Sequence, residues 1–470
     1  MPTQMPPGDA RPLRDFLNEA ANGEERFLHG RRASVALGEL THGSSLGGDL
    51  AALDGACVLV LTRDQLTTAL TLIELDGVAQ RMILCPADFP LEHLPVVVAK
   101  AGVDAIVADE DTADLAPLAV PLHVTCTPAI APDAATQPGG RRTEWILFTS
   151  GTTGIPKMVV HTLASLTSAI KPRARRDGRI VWATFYDIRR YGGLQILLRA
   201  VLDGGSLVLS DPQEPIAEHL ARLGSHGATH VTGTPSHWRR VLMSPAAHAM
   251  APGYVRLSGE IADQAVLDNL HALYPHARIV HAFASTEAGV GFEVADAREG
   301  VPASTIADPA NGVKLKIEDG SLRISSPGNA GHYLGDGDLP LAGPDAFVDT
   351  NDMMELRDGR YYFIGRRGRI VNVGGLKVHP EEVEAVINRH PAVRVSLVHP
   401  RRNAITGAVV VADVVLRDHL DGDGAHADGV RQEIVELCRG QLARHKVPAA
   451  VRFVPSLTFS ASGKLARHHA

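Results

Sequence analysis

The residues between Ile146 and Thr162 combine groups that bind phosphate with the backbone freedom that phosphate binding requires. The stretch reads ILFTSGTTGIPKMVVHT and contains two glycines, five Ser or Thr hydroxyls and one lysine between two apolar runs. Glycine lets backbone N–H groups approach a phosphate closely, hydroxyls donate hydrogen bonds to its oxygens, and Lys157 supplies a positive charge. The spacing is not that of the common P-loop, because Ile155 and Pro156 separate the last glycine from the lysine. The stretch therefore predicts a phosphate-binding loop of another kind, with a hydrophilic connector as the alternative.

Three later segments carry further residues that could bind a nucleotide or stabilise charge. They are FASTE (283–287), FVDTNDMMEL (347–356) and SASGKLAR (460–467). Taken alone, each has an ordinary explanation. Thr286 and Glu287 would form a helix cap, Asp352 would lie in a solvated turn, and Lys464 would be a solvated lysine. The order of the four segments along the chain favours the functional interpretation.

Together the four segments resemble the motifs of the adenylate-forming superfamily, which includes acyl- and aryl-CoA synthetases, luciferases and the adenylation domains of peptide synthetases. The resemblance covers the chain from about residue 144 to its end. Two positions depart from the pattern: Ala284 replaces a glycine in FASTE, and Asn351 replaces the glycine of a Thr-Gly-Asp segment. Asparagine tolerates positive φ better than most residues, so the turn can be kept.

The resemblance implies a site for ATP and Mg²⁺. In the family the threonine of FASTE contacts the α-phosphate, the glutamate helps to hold the metal, the aspartate binds both ribose hydroxyls, and the terminal lysine stabilises charge as pyrophosphate leaves. The implied catalytic residues are Lys464, Thr286 and Glu287, and Glu287 is also the implied metal ligand. The implied cofactor-binding residues are Thr149, Ser150, Gly151, Thr152, Thr153, Gly154, Lys157, Ser285, Asp352, Arg366 and Gly375, the last near a channel for the pantetheine arm.

The acyl pocket of the family is framed by segments that correspond to FYDIRRYGGLQ, SGEIA and FASTEAGVGF. The implied pocket residues are Tyr186, Arg190, Tyr191, Ser258, Gly259, Ala282 and Gly289. Many relatives have His or an aromatic residue where this chain has Arg189, Arg190 and Tyr191. We therefore predict that one of the two arginines recognises a polar or anionic group of the acid, or closes the pocket against long chains. Arginines on a helix exterior are the alternative.

The resemblance also implies two domains that move relative to each other. The predicted boundaries are 1–366 for a large AMP-binding domain and 367–470 for a small C-terminal lid domain. Gly368 stands where the family has its hinge aspartate, and glycine can absorb large changes of φ and ψ. Only 148 residues precede Thr149, fewer than in typical members, which predicts that some entrance or dimer-contact elements are reduced.

The predicted function is ATP-dependent activation of a carboxylic acid as an acyl adenylate, followed by transfer to a pantetheine thiol, in the first place that of coenzyme A. The alternative is an adenylation enzyme that loads a carrier protein, for which the run from Lys171 to Arg179 is one docking candidate. A non-catalytic nucleotide-binding homologue is a third interpretation. The retention of four residues argues against it: Lys157, Glu287, Asp352 and Lys464.

The composition is that of an ordinary soluble enzyme. The 470 residues exceed what one core usually spans, 45% are hydrophobic and 21% charged, and a net charge of −7 disfavours nucleic acid as a main partner. Cys57, Cys85, Cys126 and Cys438 lack the spacings of a zinc or redox motif, which favours reduced cysteines. No apolar run is long enough to cross a bilayer, and the sequence begins without a signal core. We expect a cytoplasmic enzyme, with a homodimer left open.

The elements that must position these residues follow two rhythms. From about Ala33 to Val124, and again after residue 180, β-rich runs alternate with helix-like segments, which predicts two layered α/β units in tandem. Hairpins are predicted about Asp319-Gly320 and Asp358-Gly359, a loop over 417–429, and a compact α+β unit beyond Arg366. The predicted fold class is therefore α/β, with a large N-terminal domain of layered α/β subdomains, a small β subdomain and a small mobile α+β C-terminal domain.

Overall fold

The computed structural model describes residues 11–17, 25–47, 49–109, 115, 118–132, 140–149, 156–170, 179–310, 312–335, 340–403, 407–417, 424–459 and 465. The α-helices of these ranges are α1 (Gln65–Leu75), α2 (Leu94–Ala101), α3 (Leu163–Thr167), α4 (Tyr191–Leu202), α5 (Ile216–Ser225), α6 (Pro235–Leu242), α7 (Gln264–Leu273), α8 (Ala303–Ala307), α9 (Pro380–Ile387) and α10 (Gly424–Gln441). The strands of the same ranges are β1 (Phe27–His29), β2 (Ser34–Ala36), β3 (Gly43–Ser44), β4 (Cys57–Val60), β5 (Arg81–Leu84), β6 (Ala105–Ala108), β7 (Leu122–Thr125), β8 (Ala131–Pro132), β9 (Glu144–Thr149), β10 (Lys157–Thr162), β11 (Val181–Thr184), β12 (Ser206–Val208), β13 (His230–Gly233), β14 (Tyr254–Ser258), β15 (Arg278–Ser285), β16 (Gly289–Val294), β17 (Val301–Pro302), β18 (Lys314–Glu318), β19 (Ser321–Ser325), β20 (His332–Tyr333), β21 (Val348–Arg357), β22 (Arg360–Arg366), β23 (Val371–Val373), β24 (Leu376–Val378), β25 (Val393–Asn403), β26 (Gly407–Leu416) and β27 (Ala450–Phe453).

Sheet I has the strand order β20-β10-β9-β5-β4-β6-β7 and carries the segment EWILFT as β9. The strands from β9 to β7 in this order run parallel, whereas β10 is antiparallel to both β9 and β20. Successive side chains of β9 are buried on opposite faces: Trp145 and Leu147 join one core cluster, and Ile146 and Phe148 join another. Burial on both faces explains why this strand is almost continuously apolar.

Sheet II has the strand order β16-β15-β14-β13-β11-β12-β1-β2 and is parallel from β15 to β1. Strand β2 (Ser34–Ala36) therefore belongs to the second sheet, although the predicted first unit began at about Ala33. Leu28 pairs with Leu207, and both pack in a core cluster that also holds Val58 of sheet I. The two layered units are confirmed, and they share one apolar core.

Sheet III contains both predicted hairpins and has the strand order β17-β22-β21-β19-β18. The turns are two residues long, and both residues of each turn have positive φ: 51° and 74° at Asp319 and Gly320, and 47° and 75° at Asp358 and Gly359. Such turns match the twist of the strands they join, which is why Asp-Gly is a strong hairpin signal. Both hairpin predictions are confirmed.

The C-terminal unit packs α9, α10 and the hairpin β23–β24 against a sheet of order β25-β26-β27. Helix α10 begins at Gly424, so the predicted loop over 417–429 is wrong for its last six residues. Val430, Ile434 and Cys438 are buried one turn apart and anchor this helix, and an isolated glycine near a helix start costs only about 1 kcal/mol. The predicted fold class, with a large N-terminal part and a small C-terminal part, is confirmed.

In the part of the chain that the structure describes, every helix is too short or too polar to span a membrane.

Candidate functional site

A cavity of about 440 Å³ lies between the large part of the chain and the C-terminal unit. This volume falls in the usual range for sites of small ligands. Its lining includes residues from the carboxyl ends of two parallel strands of sheet II, from sheet III and from the C-terminal segment: Gly259, Glu260, Ile261, Ala282, Phe283, Asp352, Arg366 and Leu465. Ligands of open α/β sheets bind at such carboxyl ends, so the fold places the predicted motifs where binding is expected.

Asp352 and Arg366 form an ion pair at the sheet III side of this cavity. They face each other on β21 and β22, and Arg366 Nε donates to Asp352 Oδ1 over 2.9 Å. The Asp352 side chain is buried, whereas the Arg366 side chain is 45% exposed. The preceding residue, Asn351, has φ of 58°, so asparagine does occupy the left-handed conformation for which the related motif uses glycine. The carboxylate is thereby fixed in a wall of the cavity, where it can accept hydrogen bonds from a diol.

Thr286 and Glu287 lie in the turn that connects β15 to the antiparallel β16. The turn leads into a strand, so the alternative that these residues cap a helix is wrong. Burial raises the pKa of Glu287, an effect that the nearby positive charges of Arg366 and Lys157 partly offset. A partly desolvated carboxylate with cations around it suits a site where a metal and phosphate groups meet.

Gly289, two residues after Glu287, is required by its surroundings. Its φ is 70°, and a Cβ atom at this position would lie 2.6 Å from the carbonyl oxygen of Gly328. The turn that carries Thr286 and Glu287 therefore lies directly against the backbone that follows β19.

The predicted phosphate loop connects two antiparallel strands. Thr149 ends β9, Lys157 begins β10, and their Cα atoms are paired in the sheet. Ser150, Gly151, Thr152, Thr153 and Gly154 lie outside the described residues. Lys157 Nζ is 4.6 Å from the ring centroid of Tyr333 on β20, within cation–π distance. Burial raises the pKa of Tyr333 to about 12, with a further contribution from the Glu287 carboxylate. The structure thus brings Lys157, Tyr333 and Glu287 together.

His161 on β10 is a site neighbour that the sequence argument missed. It is buried, its Nε2 lies 2.7 Å from the carbonyl oxygen of Thr286, and its Nδ1 lies 3.0 Å from Ser165 Oγ. Burial lowers its pKa to about 4, so the imidazole is neutral near pH 7. The only signal in the sequence was one histidine at the end of an apolar run, a pattern that ordinarily indicates a core residue.

The predicted acyl-pocket residues other than Arg190 differ in their contacts and in whether they line the cavity. Tyr186 Oη lies 2.8 Å from Ser258 Oγ, next to Gly259, and the ring of Tyr191 is 5.7 Å from that of His161. Gly259 and Ala282 line the cavity itself. Burial raises the pKa values of both tyrosines far above the usual value, so both hydroxyls stay protonated.

The two arginines of the FYDIRRYGG segment have different surroundings. Arg189 is fully buried, with Nε 2.7 Å from Asp187 Oδ1 and Nη1 donating to the carbonyl oxygen of Thr62. These contacts connect the residues that precede α4 with the residues that follow β4. Arg189 therefore neither recognises the acid nor lies on the exterior of a helix. Arg190 forms an ion pair with Asp88. Neither arginine lines the cavity, and the recognition role of Arg190 stays a prediction.

The C-terminal unit lines the cavity with residues of α9, among them Glu381 and Glu384, and with Leu465, which forms an isolated β-bridge with Phe459. Lys464, its neighbour in sequence, lies outside the described residues. Gly375 has φ of 87° in the turn of the β23–β24 hairpin and is not among the residues that line the cavity. The described orientation thus places α9 and Leu465, and not the predicted pantetheine turn, at the site.

Comparison with known proteins agrees with this geometry. The family described as AMP-binding enzyme matches residues 55–343, and the family described as AMP-binding enzyme C-terminal domain matches residues 382–464. The 2-succinylbenzoate–CoA ligase of Salmonella typhimurium is 29% identical over 330 residues, which are 68% of this chain and 66% of that protein. The match thus spans just under two thirds of the relative's length.

Two solved structures share the fold. The amide bond synthetase McbA of Marinactinospora thermotolerans has a TM-score of 0.78 at 20% identity, with 97% of this chain and 98% of that chain covered. The o-succinylbenzoate CoA synthetase of Bacillus subtilis, in complex with the acyl-adenylate intermediate OSB-AMP, has a TM-score of 0.73 at 18% identity, with 97% and 96% covered. Because the first family matches more than half of the sequence, the predicted membership of the adenylate-forming superfamily is confirmed: this chain belongs to the AMP-binding enzyme family.

Proposed function

We propose that this protein activates a carboxylic acid with ATP and transfers the acyl group to a pantetheine thiol, as an acid:CoA ligase. The observation that carries the proposal is the single cavity that Asp352, Arg366 and Phe283 share with Leu465, beside the turn of Thr286 and Glu287. A nucleotide at this position has its base beside Phe283 and its ribose hydroxyls at the Asp352 carboxylate. Its phosphates then point towards Thr286 and Lys157.

The first step joins a carboxylate oxygen of the acid to the α-phosphorus of ATP and breaks the bond to pyrophosphate. The phosphate oxygens accept hydrogen bonds from Lys157, from the hydroxyl of Thr286 and, in this proposal, from Lys464. These donors are already in position when negative charge builds up on the oxygens, and they stabilise it. Glu287 suits Mg²⁺, which is commonly held by one or two carboxylates plus substrate phosphates and neutralises their charge. In the second step a thiol sulfur bonds to the acyl carbon, and AMP and a proton are released.

We further propose that the two domains meet after residue 366 and that Gly368 is the pivot. Arg367 pairs with Asp349 of β21 over 3.3 Å, and Arg369 pairs with Glu381 of α9 over 3.6 Å. The residue between them is an exposed glycine whose Cβ position faces open space. Gly368 is thus flanked by one side chain fixed to each unit. Gly368→Pro should slow thiol transfer more than pyrophosphate exchange, because the rotation serves only the second step. A variant in which both half-reactions keep their wild-type rates would contradict the role of Gly368 as the pivot.

The test of the main proposal is acid-dependent exchange of labelled pyrophosphate into ATP, measured over aryl, aliphatic, dicarboxylic and amino acids. The panel begins with 2-succinylbenzoate, because the Salmonella relative is named for it. Coenzyme A and a phosphopantetheine-bearing carrier protein are then compared as acceptors by the release of AMP. Absence of exchange with every acid would reject the proposed function.

Asp352→Asn provides the matched test of the site. A hydrogen bond to a charged group contributes about 1.5–3 kcal/mol, so we expect the KM for ATP to rise at least tenfold. Asp345→Asn is the control, because Asp345 forms an exposed ion pair with Lys316 and does not line the cavity. The control should exchange pyrophosphate at the wild-type rate.

A further inference from the structure

The turn of Thr286 and Glu287 is held at two successive carbonyl oxygens, by His161 of β10 and by Ala330, which precedes β20. His161 of β10 lies 2.7 Å from the Thr286 carbonyl oxygen through Nε2. The backbone N–H of Ala330 donates to the Glu287 carbonyl oxygen over 2.9 Å. The next residue, Gly331, donates its N–H to the carbonyl oxygen of Val160, also over 2.9 Å. The turn is therefore tied to β10 both directly and through residues 330 and 331.

The strand that carries His161 also begins with Lys157. Strand β10 has six residues and is stiffened by pairing with β9 along its whole length and with β20 at Val159 and Val160. The distance between Lys157 and Thr286 is therefore set by how His161 and Ala330 join the turn to this strand. Of the two, only His161 makes its contact through a side chain, so only this contact can be removed by substitution without altering the backbone.

We propose that His161 is a positioning residue for the attack on ATP: its imidazole fixes the Thr286–Glu287 turn relative to the strand that carries Lys157. The inference rests on the proposed function. A carbonyl oxygen only accepts hydrogen bonds, so the proton is on Nε2, and Nδ1 is left as an acceptor 3.0 Å from Ser165 Oγ, whose hydroxyl also lies 3.0 Å from the carbonyl oxygen of Thr162. His161 does not touch the substrate. It acts through the turn, and its removal lets Thr286 and Glu287 shift while every other predicted ligand is retained.

The geometry of the ring offers a pair of substitutions that separate positioning from general stability. In His161→Gln the amide nitrogen can take the place of Nε2 and donate to the Thr286 carbonyl oxygen. In His161→Asn the shorter amide takes the place of Nδ1 and reaches only the side of Ser165. His161→Leu fills the space without any donor. Gln and Leu are close to histidine in volume and Asn is smaller by about one methylene, so a purely structural role predicts activity losses that follow the thermal stability of each variant.

The experiment measures kcat and the KM values for ATP and for the acid in pyrophosphate exchange, together with thermal unfolding of each variant. We expect kcat/KM for ATP to fall about 10- to 100-fold in the Leu and Asn variants, because misplacement by about 1 Å has effects of this size. The Gln variant should stay within about threefold of wild type by the same reasoning. The KM for the acid should change little in all three.

Two results would overturn the positioning role: a Leu variant with wild-type kcat/KM for ATP, or Gln and Asn variants with equal losses that follow their unfolding temperatures. If the Leu variant does not fold, the comparison of Gln with Asn decides alone. Calorimetric titration of the wild type with ATP and Mg²⁺ separates this outcome from failure of the proposed function. Wild-type protein that neither binds ATP nor exchanges pyrophosphate would overturn both proposals, whereas wild-type activity with unaffected variants would overturn only this one.

Discussion

Asp76 gives the folded protein a dependence on pH with a sign opposite to that of most carboxylates. It ends α1 inside the core, where its oxygens accept from the backbone N–H of Leu13 over 2.9 Å and from Nε1 of Trp145 over 3.2 Å. Burial raises its pKa from 3.8 to about 6, and the two donors offset only part of that rise. The substitution Asp76→Asn removes this titrating group.

The size of the effect follows from the two pKa values. A pKa of about 6 in the folded chain and 3.8 in the unfolded chain differ by about 2.2 units, or about 3 kcal/mol. Between these values the folded state keeps a proton that the unfolded state has lost, so the free energy of unfolding decreases as the pH rises. About 2 kcal/mol of this decrease falls between pH 4.5 and 7.5. Asn has no such step, although it keeps only one of the two acceptors and therefore adds a constant offset.

The assay is urea unfolding of wild type and variant at several pH values from 4.5 to 7.5, followed by tryptophan fluorescence. The difference between variant and wild type cancels the other titrating groups. It should move in favour of the variant by about 2 kcal/mol as the pH rises over this range. Asp54→Asn is the control: Asp54 is exposed, and its hydrogen bond from Arg141 lowers its pKa, so its difference should move weakly the other way. A flat difference for Asp76→Asn would refute the reasoning.

Three further predictions concern motion, nucleotide binding and packing. Glu299 forms a partly exposed ion pair with Arg389 at 3.0 Å, which contributes about 0.2–1 kcal/mol. Glu299→Gln should therefore reduce the population of the described domain orientation by about 1.4- to 5-fold, measured by fluorescence energy transfer between the two units. Arg389→Gln should have the same effect, and additive effects in the double variant would contradict the pairing. Tyr333→Leu should raise the KM for ATP about two- to fivefold, because only an aromatic ring can hold Lys157 in place by a cation–π contact. Tyr333→Phe keeps the ring and should leave the KM unchanged. Equal KM values for the Leu and Phe variants would argue against a role of the ring. At Gly289 the φ angle is positive and a Cβ atom would collide with the backbone carbonyl of Gly328. Gly289→Ala should therefore lower the free energy of unfolding by about 1–3 kcal/mol, measured by calorimetry. An unchanged melting temperature would contradict the close contact between Gly289 and Gly328.

The parts of the fold that could be predicted were those set by local sequence. Asp319-Gly320 and Asp358-Gly359 fix their own hairpins, because few other dipeptides adopt two positive φ angles in succession. The continuous apolar run of EWILFT identified a strand buried on both faces. Asn351 was expected to accept a left-handed conformation, and it does.

What could not be predicted depended on distant partners. Arg189 is buried and donates hydrogen bonds to Asp187 and to the carbonyl oxygen of Thr62. Arg190 is partly exposed beside Asp88, and no local sequence pattern distinguishes the two arginines. His161 touches Thr286 across 125 positions of sequence. The family and the fold class are confirmed, whereas the roles of individual residues, the carrier protein, the homodimer and the cytoplasmic location stay predictions.

The antiparallel pairing of Thr149 with Lys157 determines what kind of attraction holds an anion here. The described chain on both sides of the glycine-rich segment is strand, so neither flank is a helix that could direct its dipole at an anion. Beside hydrogen bonds from hydroxyls and backbone N–H groups, the attraction then depends on cationic side chains such as Lys157 and on a divalent ion. Dissolved salt and chelating agents can weaken both, so nucleotide affinity in this protein should decline steeply with ionic strength.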